Sequence, residues 1–219
     1  MTTTTVVLVR HGQTSWNRVE RFRGHADIPL DDVGMAQAAA TGKYIARFWH
    51  PVAIYAGPLS RTINTAEAIA GQAGVPVTKE PGLIDVDCGE WQGLTLNEVC
   101  QRWSAQAQEW QEAPEKLRFP GGETLEEACL RASTTLQALV ARHPDETIIM
   151  VSHAALNRLI LLSALGLGVE RFWSLRQDTC AVNVMEAQPD HFTVVTINST
   201  CHLISLANER DSVEKVLTV

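Results

Sequence analysis

Val6-Val7-Leu8-Val9-Arg10-His11-Gly12 decides the fold. Four consecutive apolar residues, three of them β-branched, are too few for a helix and too uniformly apolar for a strand with one wet face. Such a run reads as a strand buried on both sides. It stops abruptly at a charged pair, and the glycine that follows lets backbone approach closely. Thr147-Ile148-Ile149-Met150-Val151 has the same character and also ends in a histidine, Ser152-His153. Doubly buried strands belong to mostly parallel sheets covered by helices. Both histidines then emerge at the carboxyl edge of one sheet, where ligands of such sheets bind.

Strand and helix patterns alternate outward from these two runs. Val33–Trp49 reads as a helix capped by Asp31 or Asp32. Val52–Ala56 is a second buried strand, broken by Gly57-Pro58; Leu59–Gly71 is a helix ended by its glycine, and Val75–Lys79 a third strand. From Pro81 to Gly122 the alternation lapses into a loop and one amphipathic helix with Leu96, Val99, Trp103, Ala107 and Trp110 on one face. Residues 94–122 therefore read as a helical, cap-like insert. Thr124-Leu125-Glu126-Glu127 is a capping box that starts a helix running to about Arg142. Ala155–Leu165 is a helix closed by Gly166 and Gly168. Ala181–Ala187 and Phe192–Asn198 form a late hairpin, and the polar C-terminal tail is expected to be partly disordered. The sum is one domain over residues 1–219. Its expected fold is α/β, a three-layer sandwich with a mostly parallel central sheet, helices on both faces and a late antiparallel hairpin.

Composition narrows the function. The 219 residues are 45% hydrophobic and 20% charged, which excludes disordered and collagen-like chains. A net charge of −7 argues against nucleic acid or an anionic membrane surface as partner. No apolar run approaches the ~18 residues of a membrane helix. Met-Thr-Thr-Thr-Thr has no basic n-region or cleavage site, so no secretory signal is expected. Five cysteines (Cys88, Cys100, Cys129, Cys180 and Cys201) without a Cys-x-x-Cys pair suit a reducing cytoplasm rather than a disulfide scaffold. On that footing Asn198-Ser199-Thr200 is a chance glycosylation match. His25, His50, His143, His191 and His202 lack metal-ligand spacing, so no metal or other cofactor is expected.

The chemistry lies in four blocks. In Arg10-His11-Gly12-Gln13-Thr14 an arginine offers a planar fork to phosphate oxygens beside an imidazole that attacks phosphorus when neutral. In Gly57-Pro58-Leu59-Ser60-Arg61-Thr62 a second arginine opens a helix, whose N-terminus favours anions. The loop Leu83-Ile84-Asp85-Val86-Asp87-Cys88-Gly89-Glu90-Trp91 brings carboxylates, and Met150–Arg158 carries the second histidine.

Together with Trp16-Asn17-Arg18, Arg21-Phe22-Arg23-Gly24-His25-Ala26-Asp27-Ile28-Pro29-Leu30, Gly34 and Gln177–Asn183, these blocks resemble the histidine phosphatase superfamily, also called phosphoglycerate mutase-like, over roughly residues 6–186. The resemblance implies that His11 is the nucleophile that becomes phosphohistidine. It implies that Arg10, Arg61 and His153 complete the phosphate pocket, with Gly12 and Ala154 among its contacts and Asn17 as a further one. It puts Arg23 and Gly24 in the loop lining the pocket wall. Asp85 stands where the family usually has a glutamate that protonates the leaving oxygen. That carboxylate is one methylene shorter than glutamate, and Asp87 and Glu90 are rivals for the role. Gly57 replaces a serine and Ala154 a glycine; both exchanges are expected to leave the pocket intact.

The expected reaction is metal-independent. Neutral His11 attacks a phosphomonoester in line; Arg10, Arg61 and a protonated His153 hold the charge; Asp85 protonates the leaving alkoxide, and water then hydrolyses the phosphohistidine. The expected substrate is a small phosphorylated metabolite. A phosphoglycerate mutase is the alternative, but the mutases carry a basic insert after the acid loop. Here Leu94–Pro120 has Arg102, Lys116 and Arg118 against Glu98, Glu109, Glu112 and Glu115, which favours hydrolysis. A non-catalytic phosphate-binding module is disfavoured by the intact Arg10, His11, Arg61 and His153, and a protein phosphatase would need a wide, shallow pocket. Trp103 and Trp110 are packing groups or substrate-stacking groups, and Trp91 is a shield against water. Arg18, Arg21 and Arg23 either meet an acidic substrate or form a solvated loop. The late hairpin offers an edge strand for a homodimer.

Overall fold

A computed structural model describes residues 2–204 and 206; the polar tail singled out in the sequence lies outside the described residues. In chain order the main elements are β1 (Thr4–Arg10), α1 (Ser15–Arg18), α2 (Asp32–Phe48), β2 (Ala53–Ala56), α3 (Ser60–Ala73), β3 (Val77–Lys79), α4 (Leu96–Arg102), α5 (Ser104–Glu112), α6 (Leu125–Arg142), β4 (Thr147–Ser152), α7 (Ala154–Ala164), β5 (Val182–Ala187) and β6 (Phe192–Ser199). Six strands form one sheet in the order β3-β2-β4-β1-β5-β6. β1, β2, β3 and β4 run parallel, while β5 and β6 are antiparallel to their neighbours.

Alternation along β1 and β4 builds two cores. Val6, Leu8, Ile148 and Met150 face α6 and α7, against Leu125, Leu136, Leu139, Leu156 and Ile160. Val7, Val9, Ile149 and Val151 face α2 and α3, against Ile45, Ala66 and Ile69. Each fully buried aliphatic side chain contributes roughly 1.5–3 kcal/mol. This is the three-layer sandwich, and it explains why the central strands are apolar at every position rather than at every second one. No helix among the described residues is long and apolar enough to cross a membrane.

The third strand starts at Val77 rather than Val75, and Ser15–Arg18, read as loop, is a short helix. Two further differences have a clear physical reason. α3 runs past Gly71 to Gly74, which closes it in the left-handed conformation at φ 70°. An interior glycine is tolerated; only Gly74 has the backbone geometry that needs one. The single amphipathic helix through Trp103 is two helices. Trp103 takes φ −136° and ψ 59°, which ends α4 and starts α5. Its N–H still bonds Val99 O at 2.8 Å, and its carbonyl accepts from Ala107 N at 2.8 Å. The axis therefore bends while Val99 and Ala107 both stay buried. Periodicity reports which side is buried, and the bend preserves that side. Trp91 is fully buried against Phe22 and Phe119, with ring centroids 5.1 Å from each, so it is a core residue rather than a shield at the cavity.

Candidate active site

β1 and β4 are neighbours with Arg10 opposite Ser152, so the next residue of each strand emerges at the same level of the sheet edge. Those residues are His11 and His153. Their rings are fully buried, 5.2 Å apart between centroids and inclined at 61°. His11 N donates to Ser152 O at 2.9 Å, locking the two strand ends together. His153 also caps α7 in extended geometry.

The two rings are held differently. His11 Nδ1 lies 2.6 Å from Gly12 O. A carbonyl only accepts, so Nδ1 carries the proton and Nε2 keeps its lone pair. His153 Nδ1 accepts from Arg61 Nε at 3.2 Å, which puts its proton on Nε2. Both Nε2 atoms are buried without a protein partner. One is a free lone pair and the other a free N–H. Burial first, then Arg61, Arg10 and Arg23, hold the His11 ring well below its ordinary value, partly opposed by its bond to Gly12. Burial and then Arg61 do the same to His153, with smaller contributions from His11, Arg23 and Arg10. The expectation of a protonated His153 is therefore corrected for the free protein. Arg61 occupies Nδ1 with a donor, and burial disfavours the cation.

Arg61 is fully buried and ties the site together. Its Nη1 donates to Ala26 O at 2.6 Å and its Nη2 to Gly24 O at 2.9 Å. Gly24 sits at φ 48°, a conformation that favours glycine. Arg61 Nη2 is also 3.5 Å from Asp85 Oδ2, which lies 3.6 Å from His153 Nδ1. Of the three carboxylates weighed in the loop, Asp85 is the one beside Arg61 and His153. Asp87 instead closes its own turn, accepting from Gly89 N at 2.9 Å, and Glu90 points to solvent. Arg10 donates from Nη1 to Gln177 O at 2.6 Å, and its buried Nε has no partner. Burial, Arg23 and Arg158 push Arg10 down to about 9, which still leaves it charged at neutral pH.

A cavity of about 620 Å³ opens in front of these groups. Of the residues singled out in the sequence, Arg10, Asn17, Arg23, Gly24, Asp85 and Ala154 line it. His11, His153 and Arg61 are not on the lining and are fully buried. Asn17 Oδ1 accepts from Thr14 N and Oγ1, so its oxygen is spent on the α1 cap. Gly12 is a correction. Its N–H donates to Thr65 Oγ1 at 3.1 Å, and a Cβ there would meet Gly34 O at 2.6 Å. Its smallness serves the packing of the strand end on α2, not a ligand.

A family model described as histidine phosphatase superfamily (branch 1) matches residues 6–200. The chain belongs to that superfamily. It is 33% identical over 198 residues to phosphoserine phosphatase 1 of Hydrogenobacter thermophilus, covering 90% of this chain and 93% of that protein. It is 33% identical over 189 residues to a probable 2-carboxy-D-arabinitol-1-phosphatase of Arabidopsis thaliana, covering 86% of this chain but 39% of that longer protein. Among solved structures, Bacillus stearothermophilus YhfR matches with a TM-score of 0.87 at 27% identity, over 91% of this chain and 99% of that one.

One departure of this histidine phosphatase from the family pattern has a structural reason. A Cβ at Gly57 would lie 2.6 Å from Leu83 O and 3.3 Å from His153 Nε2. The serine often found there would not fit this backbone, so the exchange is not neutral. The cavity also has walls to which the sequence reading gave no site role: Gln13, Phe22, Arg158, Phe172, Trp173, Asp178 and Thr179. Trp110 joins the wall, whereas Trp103 packs on the core. A signal for Arg158 existed. It lies four residues after Ala154 on α7, hence on the same helical face.

Proposed function

We propose that the chain is a metal-independent phosphomonoesterase for small phosphorylated metabolites, working in the cytoplasm through a phosphohistidine on His11 Nε2. The observation that carries this reading is the unprotonated, unpartnered Nε2 of His11 beside the N–H of His153 Nε2, behind a lining rich in arginine. The His11 lone pair attacks phosphorus as the ester P–O bond breaks. Charge on the equatorial oxygens meets Arg10, the His153 Nε2–H and the N-terminus of α7. Arg61 orients His153 and Asp85. Protonated Asp85 gives its proton to the departing oxygen; its carboxylate then takes a proton from the water that attacks the phosphohistidine. Phosphate leaves and the Nε2 lone pair is restored. Because both Nε2 atoms are closed to solvent, the phosphate enters by displacing lining side chains. Arg23, held through Nη1 to Arg21 O at 3.2 Å with its Nε unpartnered, is the most weakly tied of the cationic ones. The five free thiols support the cytoplasmic assignment.

The test is phosphate release from phosphoserine, 3-phosphoglycerate and para-nitrophenyl phosphate in EDTA, with an acid-labile phosphoprotein sought after rapid quenching. Release that survives EDTA and disappears in His11→Ala is expected. Release persisting in His11→Ala overturns the mechanism. Interconversion of 2- and 3-phosphoglycerate without release would identify a mutase instead.

A further inference from the structure

Asp85 lies in the loop between two 3-10 turns, Pro81–Leu83 and Gly89–Trp91. A loop has no ladder of its own to fix its backbone, and an aspartate reaches one methylene less far than a glutamate. Whether its carboxyl meets a leaving oxygen therefore depends on where the main chain at residue 85 is held. Asp85 O accepts from His25 Nε2 at 3.0 Å, on the side of the Gly24 loop. The other hold comes from α6.

Arg131, half-buried on α6, gathers three carbonyls of that loop. Its Nη1 donates to Gly82 O and to Ile84 O, both at 2.9 Å, and its Nη2 to Asp85 O at 3.4 Å. The same Nη2 is 2.7 Å from Glu123 Oε1. That oxygen also accepts from Asp87 N at 2.9 Å, and Glu123 N donates to Asp87 O at 3.1 Å. One ion pair thus grips the main chain before, at and after Asp85. A guanidinium suits this task, because its N–H donors are fixed in one rigid plane. Neither Arg131 nor Glu123 is on the cavity lining, so both stand behind the acid rather than beside a ligand.

We propose that Arg131, anchored by Glu123, is a positioning residue for the general acid: it sets the place of the Asp85 carboxyl beside Arg61 and His153 and acts on the reaction through Asp85 alone. This rests on the phosphatase reading, in which Asp85 protonates the leaving oxygen. Loss of the grip lets residues 82–87 shift. Proton delivery then suffers, while attack by His11 and binding of the phosphate do not. The structural alternative is a staple that only fastens α6 to the loop.

The experiment follows the leaving group. kcat and KM are measured for phosphoserine or 3-phosphoglycerate, whichever alkyl ester is hydrolysed faster, and for para-nitrophenyl phosphate, whose leaving group needs no proton. Arg131→Lys keeps a charge for Glu123 but cannot span three carbonyls. It is expected to lower kcat for the alkyl ester about tenfold or more, with kcat for para-nitrophenyl phosphate and both KM values within about threefold. Added to Asp85→Asn, Arg131→Lys should cost less than about threefold more, since the acid it serves is already gone. Equal losses on the two esters, unchanged rates on both, or losses that multiply in the double variant overturn the proposal. If Arg131→Lys does not fold, Glu123→Gln decides by the same split, since it loosens the anchor and keeps the arginine. Asp85→Asn that slows both esters equally, or neither, removes the acid assignment and the proposal with it. Failure of the phosphatase reading shows separately, as wild type that releases nothing even from para-nitrophenyl phosphate. Amide exchange at Asp87 then decides, and exchange no faster in Arg131→Lys than in wild type overturns the proposal.

Discussion

His11 and His153 are chemically identical rings made into opposites by what holds Nδ1. A carbonyl on one and a guanidinium on the other decide which Nε2 attacks and which donates. One consequence concerns pH. Because His11 is held well below 6.5, it stays neutral at pH 6, and kcat/KM per substrate dianion should not fall by half near pH 6.5. A pH profile from 5 to 8 with para-nitrophenyl phosphate checks this; a loss centred at 6.5 would contradict it. The second concerns the carboxylates. Asp85→Asn should lower kcat for an alkyl phosphate by ~10²–10⁴, and less for para-nitrophenyl phosphate, whose leaving group needs no proton. Asp87→Asn should leave both rates within about threefold, since Asp87 only closes a turn. Both histidines were legible in the sequence because each ends a doubly buried strand. The choice of Asp85 over Asp87 was not, because a loop has no periodicity to say which side chain turns inward. Nor was the neutrality of His153, which depends on Arg61, a partner 92 residues away.

Elements were legible where local chemistry governs them. The Thr124 capping box stands as read, with Thr124 Oγ1 accepting from Glu127 N at 3.1 Å and Glu127 Oε2 accepting from Thr124 N at 2.9 Å. Thr124→Ala should therefore cost ~1 kcal/mol in urea unfolding. The bend at Trp103 was not legible, because both sides of it keep the same buried face. Glycines show the same divide. Gly71 is interior to α3 and a Cβ there meets nothing within 4 Å, so Gly71→Ala should stabilise by about 0.5–1 kcal/mol. Gly57→Ala should do the reverse, lowering Tm and reducing kcat/KM at least tenfold, because its Cβ would push on Leu83 O and crowd His153. Tm and rates measured on the two variants together separate these cases; a Gly57→Ala enzyme with wild-type activity would contradict the close approach.

At the scale of the molecule, buried imidazoles set the response to acid. His11 and His153 are held well below their ordinary value, and burial takes His202 down to about 4. In the unfolded chain each titrates near 6.5. Between that value and the depressed one, the unfolded chain binds more protons than the fold, so stability falls as pH drops below about 6.5. Each fully buried ring contributes at most about 1.4 kcal/mol per pH unit. Calorimetric Tm should decline from pH 7 to pH 5, and a flat profile would contradict the burial. The sheet order carries a different consequence, one of timing. β1 is made before the other described strands, yet it lies between β4 and β5, so its partners are residues 147–152 and 182–187. Until those are made, Val6–Val9 is an unpaired apolar strand with no bond to offer its edges, and sequence separations this long also slow folding. Stalled nascent chains ending before residue 182 should remain protease-sensitive. The sheet can close around β1 only after residue 187 has been made, so burial of Val6–Val9 comes late in synthesis.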